Sequence, residues 1–127
     1  MGEKIFLDSI YQSMQDSARE ARLSLGRLKD LYRKKDYGRY ADKDGTMHVA
    51  FTASVHTTGG NSGSPILNAD GRLLGLNFDR CWEGTMSDLV YDPDICRNIS
   101  VDIRYVLFII DKFAGARNLI AEMDIVE

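Results

Sequence analysis

With 127 residues, 44% of them hydrophobic and 28% charged, the chain has room for one soluble globular domain with a modest core and not for two β-barrels. A formal net charge of −3 and a pI near 5.4 supply no electrostatic footprint for nucleic acid. No apolar run approaches a membrane span, Met1, Gly2, Glu3 and Lys4 lead into amphipathic sequence instead of an apolar signal core, and any export signal is expected to lie outside this chain.

Ile10, Met14, Ala18, Ala21, Leu25, Leu28 and Tyr32 recur at spacings of three and four, which predicts an amphipathic helix over residues 4–34. Gly26 weakens its middle and is a candidate break, while Arg33, Lys34 and Lys35 suit a helix C-terminus, with Tyr37 and Gly38 as the stop. This helical segment, residues 1–38, is expected to pack on the rest of an intact domain; the alternative is a lid or partner-binding helix, and an uncovered stripe favours a homodimer. A polar turn over residues 39–46 leads into an alternating strand ending near Ser54. His48 lies on that strand and His56 just past it, six residues before Ser62, and a structural or surface role is the default for both.

Gly60, Asn61, Ser62, Gly63, Ser64 and Pro65 then set a serine among small residues, in the pattern that trypsin-like serine proteases use for their nucleophile. Such chemistry needs two backbone N–H donors aimed at one developing oxyanion, and a tight glycine-containing turn supplies them; here they would be those of Gly60 and Ser62. Asn61 stands where many such enzymes carry aspartate. A neutral amide cannot pair with a newly cut N-terminus, so the site is expected to form without zymogen cleavage. The bland alternative is a Gly/Ser-rich hairpin loop.

Asn68, Ala69, Asp70 and Gly71 are turn chemistry, followed by a strand expected to bury Leu74 and Leu76. Asp79 and Arg80 come next: a carboxylate that can pair with an ammonium, and a guanidinium whose planar fork fits a carboxylate, unless the two are simply a solvated turn pair. Trp82 is expected to be a packing anchor, and Cys81 and Cys96 are left as either a disulfide or two free thiols. A short strand at Leu89, Val90 and Tyr91 should close at Pro93; Ser100 looks like the N-cap, with Asp102 in the first turn, of a helix over residues 101–113 that ends at Gly115, before a last helical turn. The divisions are thus 1–38 helical, 39–100 barrel strands with the serine motif, and 101–127 helical. No metal-ligand cluster, phosphate loop or repeat stands out, so no cofactor is expected.

From His56, Thr57 and Thr58 through the serine motif to Phe78, Asp79, Arg80, Cys81, Trp82 and Glu83, and on from Arg97 to Leu107, the chain resembles the C-terminal end of the bacterial serine dipeptidyl peptidases. The resemblance covers residues 29–123, most of this chain and a small last part of such an enzyme. It implies an α+β chain holding part of a trypsin-like antiparallel barrel, within a chymotrypsin-type double barrel with a helical lid, that removes dipeptides from free peptide N-termini in the periplasm or at the cell surface. It also implies that Asp79 holds the substrate's α-ammonium group and that Arg80, where an apolar-specific subtype has glycine, selects Asp or Glu before the scissile bond. In that family the triad histidine and aspartate precede the serine by a long stretch, so the base for Ser62 is expected from the remainder of a parent enzyme, and this chain alone is expected to be inactive. A non-catalytic assembly or peptide-binding module is the competing expectation.

Overall fold

The structure, a computed structural model, describes the backbone of residues 2–126 and the side chains of residues 15–126. It divides into two units, Met1–Asp36 and Tyr37–Glu127.

The first unit is one helix, α1 (Gly2–Lys34), which runs through Gly26 without the expected break. One glycine in a helix interior costs about 1 kcal/mol, and the good helix formers on either side, Arg22, Leu23, Leu25, Arg27, Leu28 and Lys29, outweigh it. The helix stops before Tyr37 because Lys35 takes a left-handed conformation (φ 50°). Lys35 N–H then donates to Tyr32 O at 3.1 Å and Asp36 N–H to Leu31 O at 3.0 Å, a Schellman closure that satisfies two terminal carbonyls. Of the apolar stripe, Leu25 and Tyr32 are exposed, and the side chains of Ile10 and Met14 lie outside the described residues.

The second unit is built on a four-stranded antiparallel sheet in the order β1-β4-β3-β2, with β1 Ala50–Ala53, β2 Pro65–Leu67, β3 Leu73–Arg80 and β4 Asn98–Asp102. The β2–β3 hairpin turns where Asn68 and Gly71 predict it: Asn68 Oδ1 accepts from Asp70 N–H and Arg72 N–H, and Gly71 adopts φ 78°. Burial along β3 is the reverse of the expectation. Leu74 is exposed and Leu76 only half-buried, whereas Gly75 and Asn77 are buried. Gly75 fixes that face, because a Cβ there would lie 2.3 Å from Val101 O and 2.8 Å from the Phe51 ring.

β4 replaces the expected cap. Ser100 lies in the middle of this strand, fully buried, and Asp102 is the N-cap, its Oδ1 accepting from Arg104 N–H at 2.9 Å. The helical stretch beyond is α2 (Ile103–Phe108) continued by a π-helical turn (Ile109–Phe113), then Gly115 at φ 71° and α3 (Arg117–Ala121). Leu107 and Phe108 join Tyr37, Tyr40, Ile66 and Cys96 in the core, each worth about 1.5–3 kcal/mol where a large apolar side chain is fully buried. Tyr37 meets Phe108 edge-on at 5.9 Å, and Tyr40 OH donates to Asp111 Oδ2 at 3.1 Å; burial and that carboxylate raise the Tyr40 pKa above the usual phenol value.

No strand forms at residues 89–91. A 3-10 helix, Trp82–Asp88, occupies the preceding stretch and leaves Leu89 exposed, and Trp82 is 84% exposed instead of serving as an anchor. Both cysteines are free thiols.

Candidate active site

The loop from Thr58 to Pro65 is held from two sides. Within it, Asn61 Oδ1 accepts from Thr58 N–H at 2.7 Å, Asn61 N–H donates to Thr58 O at 3.2 Å, and Ser64 N–H donates to Asn61 O at 3.1 Å. From β3, Gly63 N–H donates to Asn77 O at 2.7 Å and Asn77 N–H to Ser64 O at 2.9 Å. Gly60 (φ 96°) and Gly63 (φ 86°) both take backbone conformations that side chains with a Cβ rarely adopt, which lets the chain fold back around Ser62. Among the described residues, the N–H groups of Thr58, Asn61, Gly63 and Ser64 have internal acceptors and those of Gly59, Gly60 and Ser62 have none. The N–H groups of Gly60 and Ser62 are thus among those in this turn that remain available to an outside acceptor.

Beneath the loop runs a buried polar network that sequence reading did not find. Asn77 Nδ2 donates to Asn61 O at 3.2 Å, and Asn98 Nδ2 donates to Asn77 Oδ1 at 2.9 Å and Ser100 Oγ at 2.8 Å. Asn98 Oδ1 closes the set by accepting from Ala53 N–H at 3.2 Å. Every member is paired, so burial of these amides carries no desolvation penalty left unmet. The available signal was the period-two spacing of Asn98, Ser100 and Asp102, polar residues on one face of a central strand; reading Ser100 as the helix cap hid it, the cap being Asp102.

At its far end β3 carries a bulge: Asn77 pairs with Ser100 but Asp79 pairs with Ile99, so Phe78 is the extra residue. A regular strand sends alternate residues to opposite faces; the bulge breaks that alternation at the place where four consecutive residues, Asn77, Phe78, Asp79 and Arg80, line one cleft. That cleft, of about 150 Å³, is completed by Thr57, Thr58, Gly59 and Ser62. Ser62, Asp79 and Arg80 thus share one opening, and the Ser62 side chain is exposed within it.

Asp79 accepts from Arg80 N–H through Oδ1 at 2.8 Å, which leaves its second oxygen for another donor. Arg80 donates to Asp88 from both terminal nitrogens at 2.7 Å each, and through Nη1 to Ser87 Oγ at 3.2 Å and Thr57 O at 3.4 Å. The Asp88 hydrogen bonds hold the arginine pKa above its ordinary value and, reciprocally, hold the Asp88 carboxyl below the usual carboxylate range. Asp88, Ser87 and Thr57 had no distinguishing pattern in the sequence, since an Arg–Asp pair eight residues apart across a helical turn has no periodic signature.

Neither histidine lines the cleft. His56 Nε2 sits 3.0 Å from Ser87 O, so that nitrogen is a donor, and the ring lies 5.0 Å from that of Tyr91 at a tilt of 39°. His48 Nδ1 pairs with Asp42 Oδ2 at 2.5 Å, beside Arg104, which bridges Asp42 and Asp102. Among the described residues, no group of three or more His, Cys, Asp or Glu side chains converges as a metal site, and no helix is long and apolar enough to cross a membrane.

Comparison with known proteins gives this geometry a family. The Asp/Glu-specific dipeptidyl-peptidase of Capnocytophaga gingivalis is 64% identical over 100 residues, which is 79% of this chain and 14% of that protein. Dipeptidyl-peptidase 7 of the same organism is 52% identical over 98 residues, 77% of this chain and 14% of the relative. The crystal structure of Porphyromonas endodontalis DPP11 in complex with the dipeptide Arg-Asp matches with a TM-score of 0.73 at 61% identity, over 76% of this chain and 14% of that one. The chain therefore spans about 14% of the length of these relatives, with higher identity to the Asp/Glu-specific enzyme. Because the Peptidase S46 family model matches residues 16–125, the chain belongs to the peptidase S46 family.

Proposed function

We propose that this chain is the nucleophile-bearing part of a serine-type dipeptidyl peptidase that releases N-terminal dipeptides ending in Asp or Glu. The observation that carries the proposal is the single cleft holding Ser62 together with Asp79 and Arg80. Asp79 pairs with the α-ammonium group of the substrate, Arg80 binds the acidic side chain before the scissile bond, and anchoring the N-terminus in the same cleft as Ser62 limits productive binding to dipeptides. Ser62 Oγ attacks the carbonyl carbon of the second residue while its proton passes to a histidine of the parent enzyme. The carbonyl oxygen becomes an oxyanion and accepts hydrogen bonds from Gly60 N–H and Ser62 N–H. Collapse breaks the C–N bond, the histidine proton leaves with the amine of the shortened peptide, and water then releases the dipeptide from the acyl-enzyme by the same steps.

The sheet is the core of a trypsin-like barrel completed by the remainder of the parent, which also supplies the triad histidine and aspartate, in a homodimer of the periplasm or cell surface. Support for an external base comes from the engagement of His56 Nε2 and of His48 Nδ1 with other partners. For the chain by itself those same contacts favour the second reading, peptide binding without turnover. The test is labelling of Ser62 by a serine-directed fluorophosphonate: the full-length enzyme is expected to react and its Ser62→Ala variant not to. Ser62-dependent hydrolysis by the 127-residue chain alone would overturn the external base.

A further inference from the structure

We propose that Asp88 is a positioning residue for acidic-substrate selection, clamping one edge of the Arg80 guanidinium so that the other is presented to the substrate carboxylate. This rests on the pocket role of Arg80 given above. A guanidinium has two edges that bind a carboxylate through parallel hydrogen bonds, Nη1 with Nη2 and Nε with Nη2. All four Arg80 contacts, to Asp88 Oδ1 and Oδ2, Ser87 Oγ and Thr57 O, fall on Nη1 and Nη2, and none of them uses Nε.

The same protein shows that one guanidinium can hold two carboxylates. Arg104 gives its Nε and Nη2 edge to Asp102 at 3.1 and 2.7 Å while Nη1 pairs with Asp42. Arg80 has the complementary half of that arrangement, with its Nη1 and Nη2 edge filled.

The clamp has a rigid footing. Ser87 is buried, its Oγ donates to Thr57 O at 3.3 Å, its own carbonyl faces His56 Nε2, and Thr57 is buried as well. Asp88 follows directly at the end of the 3-10 helix, so its carboxylate is placed by a braced turn that adjoins the cleft wall at Thr57. Asp88 itself does not line the cleft, whereas Arg80 does. A carboxylate that competed with substrate would have to occupy the cleft; one that holds the arginine from behind would not. An unclamped arginine would surrender side-chain freedom each time substrate bound, and the clamp removes that loss beforehand.

The experiment uses the full-length enzyme and dipeptidyl substrates whose second residue is Asp, Glu or Leu. Asp88→Asn is expected to raise KM for the Asp and Glu substrates about tenfold and lower the acidic-over-Leu ratio of kcat/KM by a similar factor. In an Arg80→Gly background, Asp88→Asn should have no further effect on that ratio. Asp88→Glu, which keeps the charge but displaces it by one methylene, should give a smaller loss in the same direction and serves if the asparagine variant does not fold. An unchanged or improved KM for acidic substrates, or equal losses on all three, would overturn the clamp. If Arg80→Gly itself left the acidic preference intact, the pocket role would fail and the clamp with it; a lost preference in Arg80→Gly without an effect of Asp88→Asn would overturn the clamp alone.

Discussion

The serine loop and the arginine corner form adjacent walls of one cleft and are held by opposite kinds of force. Around Ser62 every brace is neutral: amide to carbonyl from Asn61 and Asn77, backbone to backbone from Gly63 and Ser64, and beneath them the buried Asn77, Asn98 and Ser100. Around Arg80 the two shortest braces are charged, a guanidinium on a half-exposed carboxylate, with longer neutral contacts to Ser87 Oγ and Thr57 O beside them. Neutral hydrogen bonds have little dependence on salt or pH, which suits the proposed role of the turn in aiming two N–H groups at one point. Charged pairs discriminate by sign, which suits the recognition of an acidic side chain, and they are exposed to screening and titration.

The largest expected effect breaks the chemistry on the neutral side and leaves the charged side intact. Ser62→Ala in the full-length enzyme should lower turnover by several orders of magnitude while peptide binding stays nearly intact, because Asp79 and Arg80 are untouched. Steady-state kinetics together with direct binding of an Asp-containing dipeptide would check this; retention of most activity would remove Ser62 from its role. Next in size is Arg80→Gly, which breaks the charged side and spares the neutral one. Relative kcat/KM for Asp and Glu over Leu and Phe should fall on the order of 30-fold, the scale of a lost charge-assisted hydrogen-bond pair. Asp79→Ala, by contrast, should weaken all dipeptide-releasing substrates alike.

Much of the cleft was legible in the chain because its parts are local. Six consecutive residues carry the serine turn, the Asn68 to Gly71 turn follows at once, and Asp79 and Arg80 stand at the end of the strand that the turn begins. The helix of the first unit was legible for the same reason, since a period of three and four needs no partner to be seen. What escaped depends on pairing across the sheet. Leu74 looked like a core residue by alternation, but Gly75 and Asn77 face the interior because Phe51, Val101 and Asn98 wait there. Ser100 looked like a cap because serine is a good one, and only the neighbours of β4 on both sides show that its hydroxyl is spent inside a polar network.

That network offers the third test. Asn98→Ala would leave Asn77 Oδ1 and Ser100 Oγ without this partner in a buried site and Ala53 N–H without it in a part-buried one. Each group left unpaired costs about 1–3 kcal/mol, so denaturant unfolding of the chain should show a loss of several kcal/mol, among the larger single-residue effects available. The comparison is sharpened by the full-length variant, in which turnover should fall for acidic and apolar substrates alike. A selective change in acidic preference from Asn98→Ala would mean that the neutral and charged braces are not separable.

The smallest expected effect is electrostatic and appears only on the acid side. Asp42 accepts hydrogen bonds from Arg104 and His48, and the Arg104 contact above all holds its carboxyl below the usual range, against the opposing effect of desolvation. A carboxyl whose folded pKa is depressed contributes stability that is fully present above its unfolded value, about 3.9, and that is lost as pH falls through the folded value below it. Asp42→Asn cannot titrate, so wild type should exceed the variant in stability near pH 6 and the gap should shrink by pH 3. Denaturant unfolding followed by circular dichroism at the two pH values measures it, and an equal gap at both would show that the Asp42 charge adds nothing. Over the same range the Gly63 amide, which donates to Asn77 O in a wholly neutral frame, should keep its protection from hydrogen exchange for as long as the chain stays folded. Loss of that protection before global unfolding would erase the distinction between the two walls of the cleft, because the serine turn would then depend on charge as the arginine corner does.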